Sequence, residues 1–278
     1  MAAKLTLGGG IALITGAAAG IGKETALSFA EAGVKGVVFA DINGQGAQEA
    51  AAESKNYAKH PEYRAVAVEV DVSKENSVQN MVDVTVKEFG RIDYSVNSAG
   101  IGNISGAMTP NLNLAAFQQT VETNITGLVF CIRAVSQVMM EQEPLSYVGR
   151  HGTRSLGRGS IVNMASLNSY VAAPGMLPYT TSKHAVIGVT KSAALDCVAH
   201  HIRVNAVCPA WVDTAMMHRS FLRVPQLPQI IKTISPLKRP ATVDEVADYI
   251  VFLCSPSASY INGTGLTLDA GVGLTAHA

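Results

Sequence analysis

The sequence predicts an α/β fold in which a doubly wound parallel sheet of about seven strands is flanked by helices. Three observations support this prediction. Short apolar runs alternate with longer segments of helical periodicity along the whole chain. A glycine-rich turn joins the first apolar run to the first helix, and polar residues follow several later runs. The 278 residues contain no linker and no long repeat, so we expect a single domain over residues 1–278.

The individual elements follow from these patterns. The predicted strands are Ile11 to Thr15, Val37 to Ala40, residues 64–70, Ile92 to Val96, Ser160 to Ala165, Arg203 to Val207 and Thr264 to Leu268. The predicted helices lie near residues 22–32, 44–58, 74–89, 114–141, 177–199 and 243–254. Continuous apolar strands are typical of a parallel sheet that helices cover on both faces.

Two segments interrupt the alternation. Residues 141–159 are polar and rich in glycine and arginine, which predicts an exposed inserted loop. This loop could cap a pocket, contact a neighbouring subunit or be solvated. Residues 213–239 mix large apolar side chains with prolines, which suits a mobile helical flap over an apolar substrate. Ordinary surface packing or an oligomer contact is the alternative for this second segment.

Composition excludes several classes of function. Lys plus Arg and Asp plus Glu number 21 each, so no net charge favours nucleic acid or an anionic membrane as a partner. The segment MAAKLTLGGG lacks a signal-peptide core, no apolar run approaches bilayer length, and LTAHA carries no targeting signal. The histidines show no metal-ligand spacing, so no metal site is predicted. Four scattered cysteines indicate buried thiols in a reducing compartment, and we expect a cytoplasmic protein: Cys131, Cys197, Cys208 and Cys254.

The turn after the first strand has the features of an anion site. Gly16, Gly20 and Gly22 stand between a strand and a helix, where backbone N–H groups and the helix dipole face a pyrophosphate. Asp41 ends the second strand about 25 residues later. A carboxylate there accepts hydrogen bonds from an adenosine ribose and repels a 2′-phosphate. With no cation at residues 17–19 or directly after Asp41, the sequence favours NAD over NADP.

A second constellation supplies acid–base chemistry. Tyr179 and Lys183 are four residues apart in a predicted helix, so they share a face. A nearby ammonium lowers the pKa of a phenol, which then can exchange a proton with an alcohol or carbonyl near neutral pH. Ser166 follows the preceding strand and could hydrogen-bond the reacting oxygen. Taken alone, the Tyr–Lys spacing also fits an ordinary solvated pair.

Together, these residues resemble the short-chain dehydrogenase/reductase family, whose members have a Rossmann-like fold. The resemblance rests on motifs that follow the family's order over nearly the whole chain: residues 15–22, Asp71–Val72, residues 97–100, Asn124, Ser166, Tyr179, Lys183 and residues 209–214. It is similar to the family's steroid and secondary-metabolite dehydrogenases in particular.

The resemblance implies roles for the matching positions. It implies that Tyr179 is the general acid/base, that Lys183 lowers its pKa and binds the nicotinamide ribose, and that Ser166 orients the substrate oxygen. It implies that Asn124 helps to hold a water that relays protons to Lys183. The cofactor-binding positions that it implies, together with Tyr179 and Lys183, are Gly16, Ala18, Gly20, Ile21, Gly22, Asp41, Asp71, Val72, Asn97, Ala99, Gly100, Pro209, Val212 and Thr214.

The sequence departs from the family pattern at four places. Ser98 replaces the second Asn of the N-N-A-G motif, and the stretch between Asn124 and Ser166 is unusually long. Ala210 stands where a glycine usually follows Pro209, which would alter backbone freedom beside the nicotinamide. Ala270 occupies a late glycine position that we expect to touch only subunit contacts. No departure removes a catalytic group.

These patterns predict an NAD-dependent oxidoreductase that acts on a hydrophobic secondary alcohol or ketone, with oxidation as the cellular direction. Apolar residues near the site favour such a substrate: Tyr170, Val171, Met176, Leu177 and Trp211. An NADPH-dependent carbonyl reductase is the alternative enzyme, and a non-catalytic cofactor-binding scaffold is the alternative class. By resemblance we expect a homo-oligomer, dimer or tetramer, that pairs its long helices.

Overall fold

A computed structural model describes residues 6–274 of the chain. Residues 1–5 and 275–278, which hold parts of the two terminal segments considered above, lie outside the described residues. The strands are β1 (Ile11–Thr15), β2 (Gly36–Asp41), β3 (Arg64–Glu69), β4 (Tyr94–Asn97), β5 (Leu145–Gly149), β6 (Gly152–Gly157), β7 (Gly159–Met164), β8 (Ile202–Pro209) and β9 (Gly265–Leu268). The helices are α1 (Gly20–Glu31), α2 (Gly44–Ser54), α3 (Glu75–Phe89), α4 (Leu114–Val121), α5 (Gly127–Glu141), α6 (Leu177–Cys197), α7 (Ala215–Arg223), α8 (Leu227–Ile234) and α9 (Val243–Cys254).

Seven strands form one parallel sheet in the order β3-β2-β1-β4-β7-β8-β9, which confirms the predicted doubly wound fold. The strand order reverses direction at β1, which lies between β2 and β4. In such sheets a crevice opens at the carboxyl ends of the strands where the order reverses. The glycine-rich turn after β1 therefore borders the expected ligand cleft.

Helices cover both faces of the sheet. One core cluster joins it to α3, α5 and α6, through residues such as Met81 and Val135. A second cluster joins it to α1, α2 and α9, through residues such as Phe29 and Ile250. All five residues of β1 are buried, as expected for a strand covered on both sides.

Some predicted boundaries were wrong by a few residues. Helix α2 ends at Ser54 rather than near residue 58, because the chain turns there. The Ser54 hydroxyl donates to the Ala51 carbonyl and accepts from the Tyr63 hydroxyl. Strand β4 begins at Tyr94 rather than Ile92, and β8 extends to Pro209. Side-chain hydrogen bonds of this kind leave no periodic signal in the sequence.

The long helix predicted over residues 114–141 is continuous, but it is not regular. A π-helical turn over Glu122–Thr126 joins α4 to α5, and Asn124 lies buried in that turn. Among the described residues, this 28-residue helix is long and apolar enough to cross a membrane by length and composition alone. In the fold its inner face packs against the sheet through Cys131, Val135 and Met139, as a core helix does.

The segment predicted to be an exposed loop, residues 141–159, differs from that prediction because it contains a β-hairpin. Strands β5 and β6 pair antiparallel around a turn at Arg150 and His151, flanked by Gly149 and Gly152. The hairpin is largely exposed, and its alternating pattern is masked in the sequence by polar residues on both faces. Its base is held by Gln142, which donates to the carbonyls of Ile92 and Arg158.

This hairpin lies at the amino ends of the sheet strands. Ile92 precedes β4, and Gly157 packs so closely on His201, before β8, that an added Cβ would lie 2.1 Å from its carbonyl oxygen. Arg154 donates to the carbonyl of Pro256, just beyond α9. Because the glycine-rich turn is at the opposite, carboxyl edge, the hairpin cannot cap the ligand cleft.

Candidate active site

The glycine-rich turn packs so tightly that two of its positions admit only glycine. A Cβ on Gly16, whose φ is +70°, would lie 2.9 Å from the backbone nitrogen of Ala99. A Cβ on Gly22 would lie 2.1 Å from the carbonyl oxygen of Gly16. Gly20, with φ of +56°, has open space as far as the Thr214 methyl, 3.6 Å from its own added Cβ. The turn therefore presents bare backbone at the start of α1, which suits a pyrophosphate.

Asp41 is held beside this turn by backbone donors. Its Oδ2 accepts from the N–H of Ala18 at 2.9 Å, and its Oδ1 accepts from the N–H of Asn43 at 2.9 Å. The Asn43 side chain in turn caps α2 by accepting from the Gly46 N–H. The Asp41 carboxylate thus has a fixed orientation at the carboxyl end of β2, where the sequence analysis placed a ribose-binding group.

The next two strands bring further predicted residues to the same edge. Asp71, after β3, accepts through Oδ1 from the N–H and hydroxyl of Ser73 at 3.0 and 2.7 Å. Val72 is buried, and its carbonyl oxygen would lie 2.8 Å from a Cβ on Gly127, so α5 approaches closely there. Asn97 donates to Asn163 Oδ1 at 2.9 Å, while its own Oδ1 is buried without a partner among the described residues.

Tyr179, Lys183 and Ser166 converge between β7 and the first turns of α6. The Lys183 Nζ lies 5.6 Å from the centre of the Tyr179 ring and donates to the Met164 carbonyl at 2.8 Å. The Ser166 hydroxyl lies within hydrogen-bonding reach of the Tyr179 hydroxyl. Ser166 also accepts from the Asn168 N–H at 3.2 Å, which fixes its rotamer. The three side chains that sequence reasoning chose are therefore neighbours in space.

The electrostatics of this group differ from the simple expectation. Desolvation raises the pKa of Tyr179 above its ordinary value, and the hydrogen bond with Ser166 opposes that rise. The expected lowering of the Tyr179 pKa by Lys183 does not outweigh this rise. Burial also lowers the pKa of Lys183, to about 8, so the lysine loses its charge before the tyrosine ionises. In the protein alone, then, Ser166 is the group that favours the tyrosinate.

The Asn124 side chain is tied to the loop after β4 and to α6. Its Nδ2 donates to the Ile101 carbonyl at 2.9 Å and to the Ser182 hydroxyl at 3.1 Å, and its Oδ1 accepts from the Ile101 N–H at 2.8 Å. Both amide hydrogens are thus occupied within the fold. A Cβ on Gly100 would lie 3.2 Å from Asn124 Oδ1 and 3.9 Å from Lys183 Nζ. Asn124 consequently positions the loop after β4 against the lysine.

The segment after β8 closes the cleft from the other side. Thr214 caps α7 by accepting from the Met217 N–H at 3.2 Å, and Val212 forms a bridge with Ala241. Ala210 does not have a positive φ, so its side chain causes no left-handed strain. Ala270 instead occupies the left-handed region with φ of +52°, so backbone strain falls at the position that we expect to touch subunit contacts.

Three segments surround the mouth of the cleft: residues 101–107, residues 170–177 and α7. Asn103 joins two of them by donating to the Gly175 carbonyl at 2.8 Å, and the Arg223 guanidinium of α7 donates to the Asn103 carbonyl. Met216 Sδ would lie 3.2 Å from a Cβ on Gly102. An apolar cleft of about 360 Å³ adjoins them, lined by Met108, Pro110, Ala172, Pro174 and Leu177 among others.

Sequence reasoning missed Cys208 as a neighbour of the site. It is buried, as predicted for all four cysteines. Its sulfur lies within reach of the Ser166 backbone N–H and of the Tyr170 and Ser169 hydroxyls. Its position at the carboxyl end of β8 was the available signal, because side chains there face the crevice.

Known proteins share this architecture over nearly their whole length. The profile of a family described as enoyl-(acyl carrier protein) reductase matches residues 16–273. Over 266 residues the chain is 46% identical to the short-chain dehydrogenase anuF of Penicillium roqueforti, covering 95% of this chain and 96% of that protein. The chain belongs to the short-chain dehydrogenase/reductase family. The short-chain dehydrogenase fogB of Aspergillus ruber is also 46% identical, with 96% and 98% of the two chains covered.

Solved structures of the family agree. Levodione reductase superposes with a TM-score of 0.86 at 29% identity, over 98% of this chain and 99% of that one. A 7α-hydroxysteroid dehydrogenase, complexed with NADH and 7-oxo glycochenodeoxycholic acid, has a TM-score of 0.82 at 29% identity, over 98% and 97%. The predicted family and fold are confirmed, and the fungal relatives fit the secondary-metabolite type. Like its family, this oxidoreductase uses a nicotinamide cofactor, NAD or NADP.

Proposed function

We propose that this protein is an NAD-dependent oxidoreductase that interconverts a hydrophobic secondary alcohol and its ketone. The observation that carries the proposal is the convergence of Tyr179, Ser166 and Lys183 beside the glycine-rich turn. Two close approaches connect them: Gly16 packs on Ala99, and the adjacent Gly100 lies against Lys183. A proton-transfer group thus borders the cleft that suits a dinucleotide.

The residues present fit a nicotinamide cofactor. Gly16 and Gly22 have no space for side chains, so the backbone of the turn is available to a pyrophosphate. When bound, the cofactor supplies the hydride acceptor at nicotinamide C4. Asp41, Asp71 and Val72 would hold the adenosine half, and Thr214 with Val212 would meet the nicotinamide half. Asn97, Ala99 and Gly100 would line the cleft between them.

Tyr179 would act on the substrate oxygen. In the direction of oxidation, its phenolate takes the hydroxyl proton as the carbon–oxygen double bond forms and the carbinol hydrogen leaves as hydride. Ser166 donates a hydrogen bond to the same oxygen and orients it. The Lys183 ammonium, 5.6 Å from the centre of the Tyr179 ring, would stabilise the phenolate and would also bind the nicotinamide ribose. Asn124 keeps the loop after β4 in place, as its hydrogen bonds indicate.

The choice of NAD rests on Asp41. Its carboxylate is fixed at the end of β2 by two backbone N–H groups, and no Lys or Arg occupies residues 17–19 or follows it directly. A 2′-phosphate placed there would meet a like charge without a cation to offset it. The alternative, an NADPH-dependent carbonyl reductase, requires Asp41 to leave this position. Oxidation is the cellular direction that NAD favours.

A cofactor titration tests this proposal. We expect NADH to bind at least about tenfold more tightly than NADPH, followed by cofactor fluorescence. Asp41→Ser should reduce that preference, whereas Glu49→Gln, an exposed charge on α2, should not. Apolar secondary alcohols should then be oxidised with NAD. Tighter binding of NADPH would overturn the assignment, and binding of neither would contradict the glycine-turn argument itself.

Three further expectations belong to this proposal. Residues 213–239 would act as the substrate flap of a single domain, since α7 already contacts the loop after β4. A homo-oligomer would form, dimer or tetramer, in which the long helices of two copies pair. A cytoplasmic location is supported by the four cysteines, which are all buried and unpaired.

A further inference from the structure

The charges around the mouth of the cleft are unevenly distributed. The chain as a whole is balanced, but residues 213–239 contain five Lys and Arg residues and one carboxylate, Asp213. That carboxylate lies 2.8 Å from His218 Nε2, and Arg239 is paired with Glu245 at 2.7 Å. The flap segment therefore has a formal net charge of +4, since five basic residues face one acidic residue, while the rest of the chain, with 16 basic and 20 acidic residues, has −4.

The other two segments around the mouth cannot offset this charge. Residues 101–107 and 170–177 contain no Asp, Glu, Lys or Arg, and the same holds for the wider ranges 101–113 and 166–182. Their side chains are small, apolar or neutral polar groups, including those of the adjoining apolar cleft. Charged groups at the mouth consequently come from α7, and apolar walls strengthen the field of such groups.

Helix α7 directs one face toward the mouth. Met216 approaches Gly102, and Arg223, two turns later, donates to the Asn103 carbonyl. Arg219 lies three residues after Met216 and four before Arg223, so the three share this face. Arg219 is exposed, and no carboxylate pairs with it among the described residues. A guanidinium without a counter-charge thus stands beside the entrance to an apolar cleft.

We propose that Arg219, assisted by Arg223, binds a carboxylate at the end of the substrate remote from the reacting carbon. The substrate would then be amphipathic: an apolar body with a secondary alcohol or ketone at one end and an acid at the other. The planar guanidinium matches a carboxylate with two parallel hydrogen bonds. This inference rests on the proposed function, because it places the acid relative to Tyr179. The alternative, that Arg219 binds the cofactor pyrophosphate, is an outcome of the test.

The test compares acids with their neutral analogues. The probes are (ω−1)-hydroxy fatty acids of increasing chain length and their primary amides, which have the same shape without the charge. At low ionic strength we expect kcat/KM to favour the acid over its amide by about fivefold at the best chain length. The preference should fall as salt is added, because salt screens partly exposed charges. Equal values for acid and amide at every length would overturn the proposal.

Variants locate the effect. Arg219→Gln should remove the preference for the acid while leaving turnover of the amide unchanged, and Arg219→Lys should retain part of it. Lys232→Gln, which removes an exposed charge from α8, should leave the preference intact. If Arg219→Gln weakens NADH binding, or slows acid and amide equally, Arg219 serves the cofactor or the fold and the proposal is wrong.

A binding measurement separates this proposal from the proposed function. Trp211, the single tryptophan, lies in the segment that closes the cleft, so its fluorescence reports occupancy without turnover. Tighter binding of the (ω−1)-keto acid than of its amide, lost in Arg219→Gln, would support the carboxylate subsite even if no alcohol were oxidised. Turnover of neutral alcohols with no such difference would leave the oxidoreductase proposal standing and overturn this one.

Discussion

The two edges of the sheet both bury polar side chains, but they hold them differently. At the amino edge, Asp93 is 1% exposed, accepts from the Ile11 N–H at 2.8 Å and pairs with Arg91 at 2.6 Å. Arg203 there donates to the Leu253 and Ile261 carbonyls. At the carboxyl edge, by contrast, the Tyr179 hydroxyl lies within reach of the Ser166 hydroxyl, and Lys183 donates to the Met164 carbonyl although its ammonium has three hydrogens.

We infer that buried polar groups at the amino edge mainly stabilise the fold, whereas those at the carboxyl edge mainly serve the reaction. Where a buried polar group is tied to backbone atoms, it fixes the ends of strands and has little freedom to change partners. Where buried polar side chains contact one another, a bound ligand can replace one of the two partners at low cost. The pKa values of these side chains then depend on whether the ligand is bound. Buried side-chain atoms without a partner occur at both edges among the described residues, for example Asn97 Oδ1 at the carboxyl edge and Arg203 Nε at the amino edge. Substitutions at the two edges should therefore affect different measurements.

The largest expected effect compares two tyrosines. Tyr179→Phe should lower turnover by about 1,000-fold, because it removes the proton-transfer group, and should leave NADH binding intact. Tyr94→Phe, at the amino edge, removes a hydrogen bond to the Leu7 carbonyl and should cost about 1 kcal/mol of unfolding free energy without changing turnover. Steady-state kinetics and denaturant unfolding of both variants measure this. Unchanged turnover in Tyr179→Phe would overturn the assignment of Tyr179 as the proton-transfer group.

A smaller effect concerns the pH dependence of oxidation. The hydrogen bond from Ser166 lowers the pKa of Tyr179, so Ser166→Ala should raise it and move the alkaline rise of kcat/KM to higher pH. The rate near neutral pH should fall by about 100-fold, because a donor to the reacting oxygen is also lost. Ser169→Ala is the control: its hydroxyl donates to the Lys183 carbonyl, and the pH profile should stay in place. A profile that does not move in Ser166→Ala would contradict the assigned role.

The smallest expected effect concerns Ala270 and Ala210, the two positions at which this chain has alanine where the family usually has glycine. Ala270 has φ of +52°, where an L-residue is strained, so Ala270→Gly should raise the unfolding free energy by about 1 kcal/mol. Ala210 has no positive φ, so Ala210→Gly should lower it by about 0.5 kcal/mol through added freedom of the unfolded chain. Denaturant unfolding of both variants measures the difference. Changes of the same sign would show that backbone conformation is not the cause.

Much of the fold and the site could be predicted because their signals are local. The apolar run Ile11–Thr15 predicts a buried strand, and the glycines directly after it predict a tight turn. The spacing of Tyr179 and Lys183 places them on one helix face, and the structure finds them together. Ser166 follows a strand whose carboxyl end had to face the same crevice.

The remainder depended on tertiary contacts. The π-helical turn around Asn124 forms where its amide holds Ile101, and no periodicity in the sequence marks an extra residue in a helical turn. The direction of the Tyr179 pKa depends on burial, which the spacing of two residues does not reveal. Cys208 resembles any other small buried residue until the fold sets it beside Ser166.

The hairpin at residues 145–157 provides an attachment point on the side of the molecule away from the cleft. Its tip, Arg150–His151, lies at the edge opposite the cleft, and the hairpin is tied to the body through its base and Arg154. A linker inserted at that tip would attach the protein to a bead or an electrode with the cleft facing the solution. Orientation on a surface would then follow from the architecture, without any change to the residues that bind or react.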